Sequence, residues 1–164
     1  MARAREPDPV EWVRARWGEQ ELPEPDRFMA VASLMRVHQV VVGELDRALR
    51  PFELSRTAYL VLATLALSDD GARKLSYLSR YLMVHQTTIT LLIDNLELRG
   101  LVKRRPHPTD RRTTLAVLSA KGRKLTQRAT AAAAAVGFGL GDAEPGDLTG
   151  ALRDVRRALG DLPE

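Results

Sequence analysis

Arg99-Gly-Leu-Val-Lys-Arg-Arg-Pro-His-Pro-Thr-Asp-Arg-Arg112 sets six cations, Arg99, Lys103, Arg104, Arg105, Arg111 and Arg112, against one acid, Asp110. The flanking segments 101–105 and 113–118 alternate in the manner of two short strands, with Pro106-His-Pro-Thr-Asp110 as the tip between them. Residues 86–99, just upstream, have helical spacing. Ile89, Leu92, Ile93 and Leu96 fall on one face and Thr87, Thr90, Leu91 and Asp94 on the other. A basic hairpin leaving the end of a polar-faced helix is the layout of a winged helix-turn-helix, which lays its helix in the major groove of DNA and presses its hairpin on the phosphates.

Charge distribution points the same way. From position 99 to position 124 there are nine Lys or Arg and one acid, a local charge of +8 in a chain whose formal net charge is +4. The remainder therefore sums to −4, and a polyanion would meet one surface and not the average. Residues 1–26 hold four bases and seven acids, which makes that arm a poor grip for DNA. A hydrophobic share of 45% over 164 residues permits one domain with a real core, or one domain with oligomerising extensions.

Several chemistries are excluded or unsupported. The chain has no cysteine, which removes disulfides, thiolate nucleophiles and thiolate zinc sites and fits a cytoplasmic location. No apolar run follows the first residues, and no segment is expected to reach the ~20 apolar residues of a spanning helix, so neither secretion nor a membrane is expected. His38, His85 and His107 have no metal-binding spacing. There is no phosphate-binding Gly loop, nucleophile elbow or pair of catalytic carboxylates, so neither an enzyme nor a cofactor is expected.

Outward from the hairpin, a short helix near 76–81 and a tight link through Met83-Val84 lead into the helix at 86–99, completing the helix-turn-helix pair. Ser55 is placed to cap a helix over 55–67 and Ser119 one from about 120. That last helix carries the run Ala129-Thr-Ala-Ala-Ala-Ala-Ala-Val136, read either as plain helix propensity or as a close helix–helix contact. Asp8-Pro9 begins a short helix ending at Gly18. A long helix over 27–50 is apolar around so much of its circumference that it calls for a partner. A final amphipathic helix over 148–159 puts Leu148, Leu152, Val155 and Leu159 on one stripe. The expected architecture is mostly α with a small β wing: a winged helix-turn-helix over 51–119, between dimerisation helices at 1–50 and 120–164.

Three segments resemble the MarR family of transcriptional regulators. Thr88-Ile-Thr-Leu-Leu-Ile-Asp-Asn-Leu-Glu-Leu-Arg-Gly-Leu-Val102 is similar to that family's recognition helix and its exit. Asp110-Arg-Arg112 resembles its wing tip, and Leu118-Ser-Ala-Lys-Gly122 its Leu-Thr-x-x-Gly opening of the next helix. The resemblance implies a homodimer that binds a pseudo-palindromic operator in double-stranded DNA, often as a repressor released by a small aromatic or anionic effector. The segment from Asp8 to Trp17 resembles a branch with an added N-terminal helix that includes urate-responsive members. Leu60 and Leu92 stand where that branch has an Asp and an Arg, so urate is not the expected effector.

Site assignments follow. Phosphate contact is assigned to Arg104, Arg105, Arg111 and Arg112, with Lys103 and Lys121 beside them, and the resemblance sends Arg111 into the minor groove. Arg112 is alternatively a salt-bridge partner of Asp110 or Asp94, and Asp110 shapes the tip. Base readout falls to Gln86, Thr87, Thr90 and Leu91, for Gln pairs with adenine and Leu meets a thymine methyl. Ser76 and His85 are placed to donate to phosphates, and His85 serves equally well as an N-cap. Trp17, Arg36, His38 and Tyr59 are the candidates for an effector pocket, although Trp17 also suits plain packing and His38 a core position. A different class of function, an architectural DNA-binding protein with little sequence preference, is compatible with the Thr/Leu face.

Overall fold

The computed structural model describes residues 8–110 and 112–162. By its internal contacts the chain divides into two units, residues 1–43 and 44–164.

The first unit contains helix α1, Pro9–Glu19, and most of helix α2, Pro25–Leu49. Asp8 caps α1 by accepting the Val10 amide at 2.9 Å, with Pro9 at the first helical position, where a missing N–H costs nothing. Trp17 stacks on Phe28 with ring centroids 3.8 Å apart, and its indole N–H donates to the Pro23 carbonyl at 3.1 Å. That pair folds the α1–α2 link back on itself.

Helix α2 corrects one expectation. With the 3-10 turn Arg50–Phe52 it forms a helical segment of 28 residues whose mean hydropathy reaches 1.3, long and apolar enough by those two measures to cross a membrane. Arg36, His38 and Gln39 sit at its middle, however, and an arginine at a bilayer centre costs roughly 2.5–3.5 kcal/mol even on insertion scales. Val31, Leu34, Met35, Val37 and Val40 are all exposed. They form the wide apolar surface that the sequence led us to expect on this helix.

The second unit is a helical layer against a three-stranded sheet. Helix α3, Arg56–Ala66, begins at Ser55, whose hydroxyl accepts the Ala58 amide at 3.2 Å. Strand β1, Ala72–Lys74, leads into α4, Leu75–Tyr81, and α5, Gln86–Leu98. Strands β2, Val102–Pro106, and β3, Thr114–Leu118, form the hairpin. Helix α6, Ala120–Ala134, and helix α7, Leu148–Ala158, complete the chain. The sheet order is β1-β3-β2, all antiparallel, with Ala72 and Lys103 both opposite Val117 and Arg105 opposite Leu115. Mostly helical with a small antiparallel sheet, this is the expected winged helix-turn-helix.

One core holds the unit together. Leu49, Val61, Leu62, Leu65, Leu78, Ile89, Ile93, Leu96, Leu101 and Val102 are fully buried in it, so α3, α4, α5 and the base of the wing share a single packed interior. Tyr59 is buried too, its hydroxyl hydrogen-bonded to that of Thr130 at 3.1 Å, which ties α3 to α6. Of the alanine run on α6, Ala129 and Ala133 are buried while Ala131 and Ala134 are exposed, so only one edge serves packing. The apolar stripe Leu148, Leu152, Val155 and Leu159 of α7 is exposed along its length.

Candidate nucleic-acid interface

The site begins with the turn between α4 and α5. Helix α4 ends in a left-handed residue, Met83 at φ 52°, and the Val84 amide reaches back to the Ser79 carbonyl at 3.1 Å. Glycine normally takes this place. The Ser79 hydroxyl adds a 2.7 Å bond to the Val84 carbonyl. Helix α5 then starts with His85 as its N-cap, the ring Nδ1 accepting the Thr87 amide at 3.3 Å. With Nδ1 an acceptor, the ring proton belongs on Nε2, which leaves that N–H to face outward.

Burial on α5 follows the wheel. Ile89, Ile93 and Leu96 face the core, with Leu92 packed beside them, while Gln86, Thr87, Thr88 and Leu91 are exposed. Thr90 is half-buried and its hydroxyl donates to the Gln86 carbonyl at 3.0 Å, so it retains only acceptor capacity toward an incoming base. Ser76 is exposed on α4.

The wing leaves α5 through Gly100, at φ 70°, where the Leu101 amide bonds the Leu96 carbonyl at 2.9 Å. Strand alternation then sorts the cations of β2. Lys103 and Arg105 are exposed and take part in no ion pair among the described residues. Arg104 points the other way. Its guanidinium bonds the Asp94 carboxylate and the Thr90 carbonyl, the latter at 3.1 Å, and lies 3.9 Å from Glu97, whose carboxylate also accepts the Arg104 amide at 2.9 Å. Arg104 thus fastens the wing to α5, a role that sequence reasoning missed. Of the two partners expected for Arg112, Asp110 and Asp94, the second is taken by Arg104.

At the tip, Asp110 accepts the Arg112 amide at 3.1 Å and the Thr113 hydroxyl at 2.6 Å, while its carbonyl accepts the Thr113 amide at 2.9 Å. The Thr113 hydroxyl and the Arg112 amide hold its carboxyl below the usual 3.8. The Arg112 side chain is exposed and forms no ion pair among the described residues. Arg111 lies outside the described residues.

Beside the wing, Arg73, Lys74 and Tyr77 share with Arg105 and His107 a cleft of about 540 Å3. Tyr77 and Tyr81 stack at 5.8 Å and the Arg73 guanidinium covers the Tyr77 ring at 5.7 Å. This aromatic–basic strip was also missed, although Arg73-Lys74 followed by tyrosines four apart was a legible signal. The four effector-pocket candidates do not gather into one described site. Trp17 is engaged with Phe28 and Pro23, Arg36 lines a small cleft with Asp8, Glu11 and Ser33, and His38 is exposed, all in the first unit. Tyr59 belongs to the second unit and is buried against α6. Among the described residues no group of His, Asp and Glu is placed to hold a metal ion.

Comparison with known proteins gives this arrangement a family. The family model described as MarR family matches residues 54–114, from the start of α3 to the returning strand of the wing. The solved structure of Sco5413, a MarR family transcriptional regulator from Streptomyces coelicolor, is 36% identical, covers 85% of this chain and 99% of its own, and superposes with a TM-score of 0.76. CouR from Rhodococcus jostii RHA1, solved bound to p-coumaroyl-CoA, is 30% identical over 77% of this chain and 87% of its own, with a TM-score of 0.67. Among curated proteins, the HTH-type transcriptional regulator PapX of Escherichia coli is 30% identical over 98 residues, and the match spans 60% of each chain. With the wing, the helix pair and the flanking helices all in place, the chain belongs to the MarR family of transcriptional regulators.

Proposed function

We propose that the protein is a sequence-specific DNA-binding regulator, acting as a homodimeric repressor that a small aromatic or anionic effector releases from a pseudo-palindromic operator. The observation that carries this reading is the joint surface of α5 and the wing. The exposed edge Gln86, Thr87 and Leu91 lies on the helix to which Arg104 fastens a hairpin bearing Lys103, Arg105 and Arg112, cations with no ion pair among the described residues. Such a surface offers a groove-reading helix and phosphate contacts from one rigid piece. Arg104 contributes to this by positioning and not by touching phosphate. His85, as a cap with its Nε2–H outward, and Ser76 are left to the backbone.

Dimerisation is assigned to the segments 1–50 and 120–164, supported by the apolar residues of α2 and α7 that stand exposed in the protomer. Release by an effector is supported by CouR, which holds a CoA thioester of an aromatic acid. For this chain Trp17, Arg36, His38 and Tyr59 remain the proposed effector residues. Urate is not proposed, for Leu60 and Leu92 offer no charge to it. Activity on DNA without catalysis, in the cytoplasm, completes the proposal.

The test is protection mapping across the DNA upstream of the protein's own gene, with affinity measured against salt. Two half-sites about one helical turn apart support the proposal. Arg111→Ala with Arg112→Ala is expected to weaken binding and to flatten the slope by about 0.9 for each phosphate no longer neutralised. Unchanged affinity and slope would refute the wing assignment. The exposed Leu91 on the reading edge favours one second reading, an architectural protein with little sequence preference, which predicts uniform protection.

A further inference from the structure

Three consecutive carbonyls at the exit of α5 are each bound from the start of α6. Lys121 Nζ donates to the Arg99 carbonyl at 2.7 Å, the Ser119 hydroxyl to the Gly100 carbonyl at 2.7 Å, and the Ser119 amide to the Leu101 carbonyl at 3.0 Å. Lys121, expected beside the phosphates, is thus engaged with backbone.

The Arg99 side chain ties the same helix end in a second direction. Its guanidinium donates from Nη2 to the Phe52 carbonyl at 2.9 Å and from Nη1 to the Glu53 carbonyl at 2.7 Å. Phe52 closes the 3-10 turn that continues α2, and Glu53 follows it in the left-handed region at φ 53°. The Glu53 carboxylate lies 3.8 Å away with its side chain 87% exposed, so the ion pair itself adds little. One guanidinium therefore spans two successive backbone acceptors. That needs the planar fork of arginine, which a lysine ammonium does not reproduce.

Ile89, Ile93 and Leu96 hold α5 against the core from one side, but apolar attraction is non-directional and opposes a small slide along the helix axis only weakly. Hydrogen bonds lose strength steeply with misalignment, so the ties at residues 99–101 fix the axial place of the helix end far more sharply. Base readout asks for that, since a recognition group has to be held within about 0.5 Å of its productive place. Attraction to phosphate depends on charge and survives such a displacement. We infer that Arg99 is a positioning residue of the reading helix: its fork sets the end of α5 against the turn that follows α2, and sequence preference depends on it while charge-driven affinity does not. The inference rests on the regulatory reading above. It takes Arg99 out of the phosphate-facing cations, although the sequence counts it among them.

The experiment measures the affinity of the full chain and of Arg99→Lys for two duplexes: the one that the parent enriches most from a random pool, and the same bases shuffled. In Arg99→Lys the ratio of the two affinities is expected to fall by about tenfold, for one charge-assisted hydrogen bond is lost. Affinity for the shuffled duplex and its salt slope are expected to match the parent, because the charge is kept. Lys121→Gln undoes the neighbouring tie from an exposed side chain and is expected to lower the same ratio by about threefold or more. It carries the comparison should the Arg99 variant fold poorly. A residue that served folding alone would lower both affinities together and leave the ratio unchanged. One that touched phosphate would be replaced by lysine without loss. Either result overturns the inference and leaves the regulatory reading standing. A parent that binds both duplexes equally removes that reading, and the inference with it.

Discussion

Gly122→Ala is a demanding test of how the wing is anchored. Gly122 is buried in the first turn of α6, its amide donating to the capping Ser119 hydroxyl at 2.9 Å. A Cβ added there would lie 2.1 Å from the Leu101 carbonyl oxygen and 2.9 Å from the Leu118 side chain. The carbonyl is not free to retreat, because it accepts the Ser119 amide at 3.0 Å where β2 leaves α5. Alanine brings about 0.8–1 kcal/mol of helix propensity. Against this stands overpacking of about 1–3 kcal/mol, at its upper end because the obstacle is backbone. The balance is a loss of about 1–2 kcal/mol, which lowers the Tm by roughly 2–8 °C in a chain of this size. Gly18→Ala, inside α1 with nothing within 4 Å, is the control: with the same propensity gain and no clash it leaves the Tm unchanged or raises it by up to about 4 °C. Thermal unfolding followed by circular dichroism reads both. A Gly122→Ala protein that melts with the parent or above it would show that α6 does not press on Leu101 as described.

Other expectations concern the wing and its cap. Arg104→Ala removes the bonds to Asp94 and the Thr90 carbonyl and costs roughly 1–2 kcal/mol locally, since the partners are partly solvated. Hydrogen exchange of the β2 amides should quicken while α3 stays protected, and unchanged β2 exchange would contradict the tether. Ser119→Ala loses an N-cap and should cost about 1 kcal/mol in chemical denaturation. The Asp110 carboxyl, held low by Thr113 and the Arg112 amide, should titrate below 3.8 in a carbon-detected NMR titration. Because its folded value is depressed, its support of the tip is complete above 3.8 and fades as pH falls through the lowered value. A midpoint at or above 3.8 would count against the tip geometry.

Much of this fold was legible because its signals are local. Asp8, Ser55 and Ser119 each cap the helix that follows, and the wheel of α5 separates Ile89, Ile93 and Leu96 from Thr87 and Leu91 as the spacing requires. Strand β1 was missed because its three residues carry no pattern of their own, and they become a strand only by pairing with β3 more than forty residues away. The candidate interface was legible as a charge cluster but not as a division of labour. Lys103, Arg104 and Arg105 look alike in sequence. Strand parity, together with the carboxylates of Asp94 and Glu97, sends the middle one inward. Tyr59 was assigned to a pocket by its residue type, whereas its burial against Thr130 depends on where α6 returns.

The inward placement of Arg104 also limits how the hairpin can drift in length over generations. A single-residue insertion or deletion between Glu97 and Arg104 would exchange the two faces of β2, aiming a lysine or the wrong arginine at the helix and exposing Val102. Changes confined to residues 107–113 leave that parity untouched. Kindred chains should therefore show wings of differing reach and tip composition, joined to stems whose residue count does not vary.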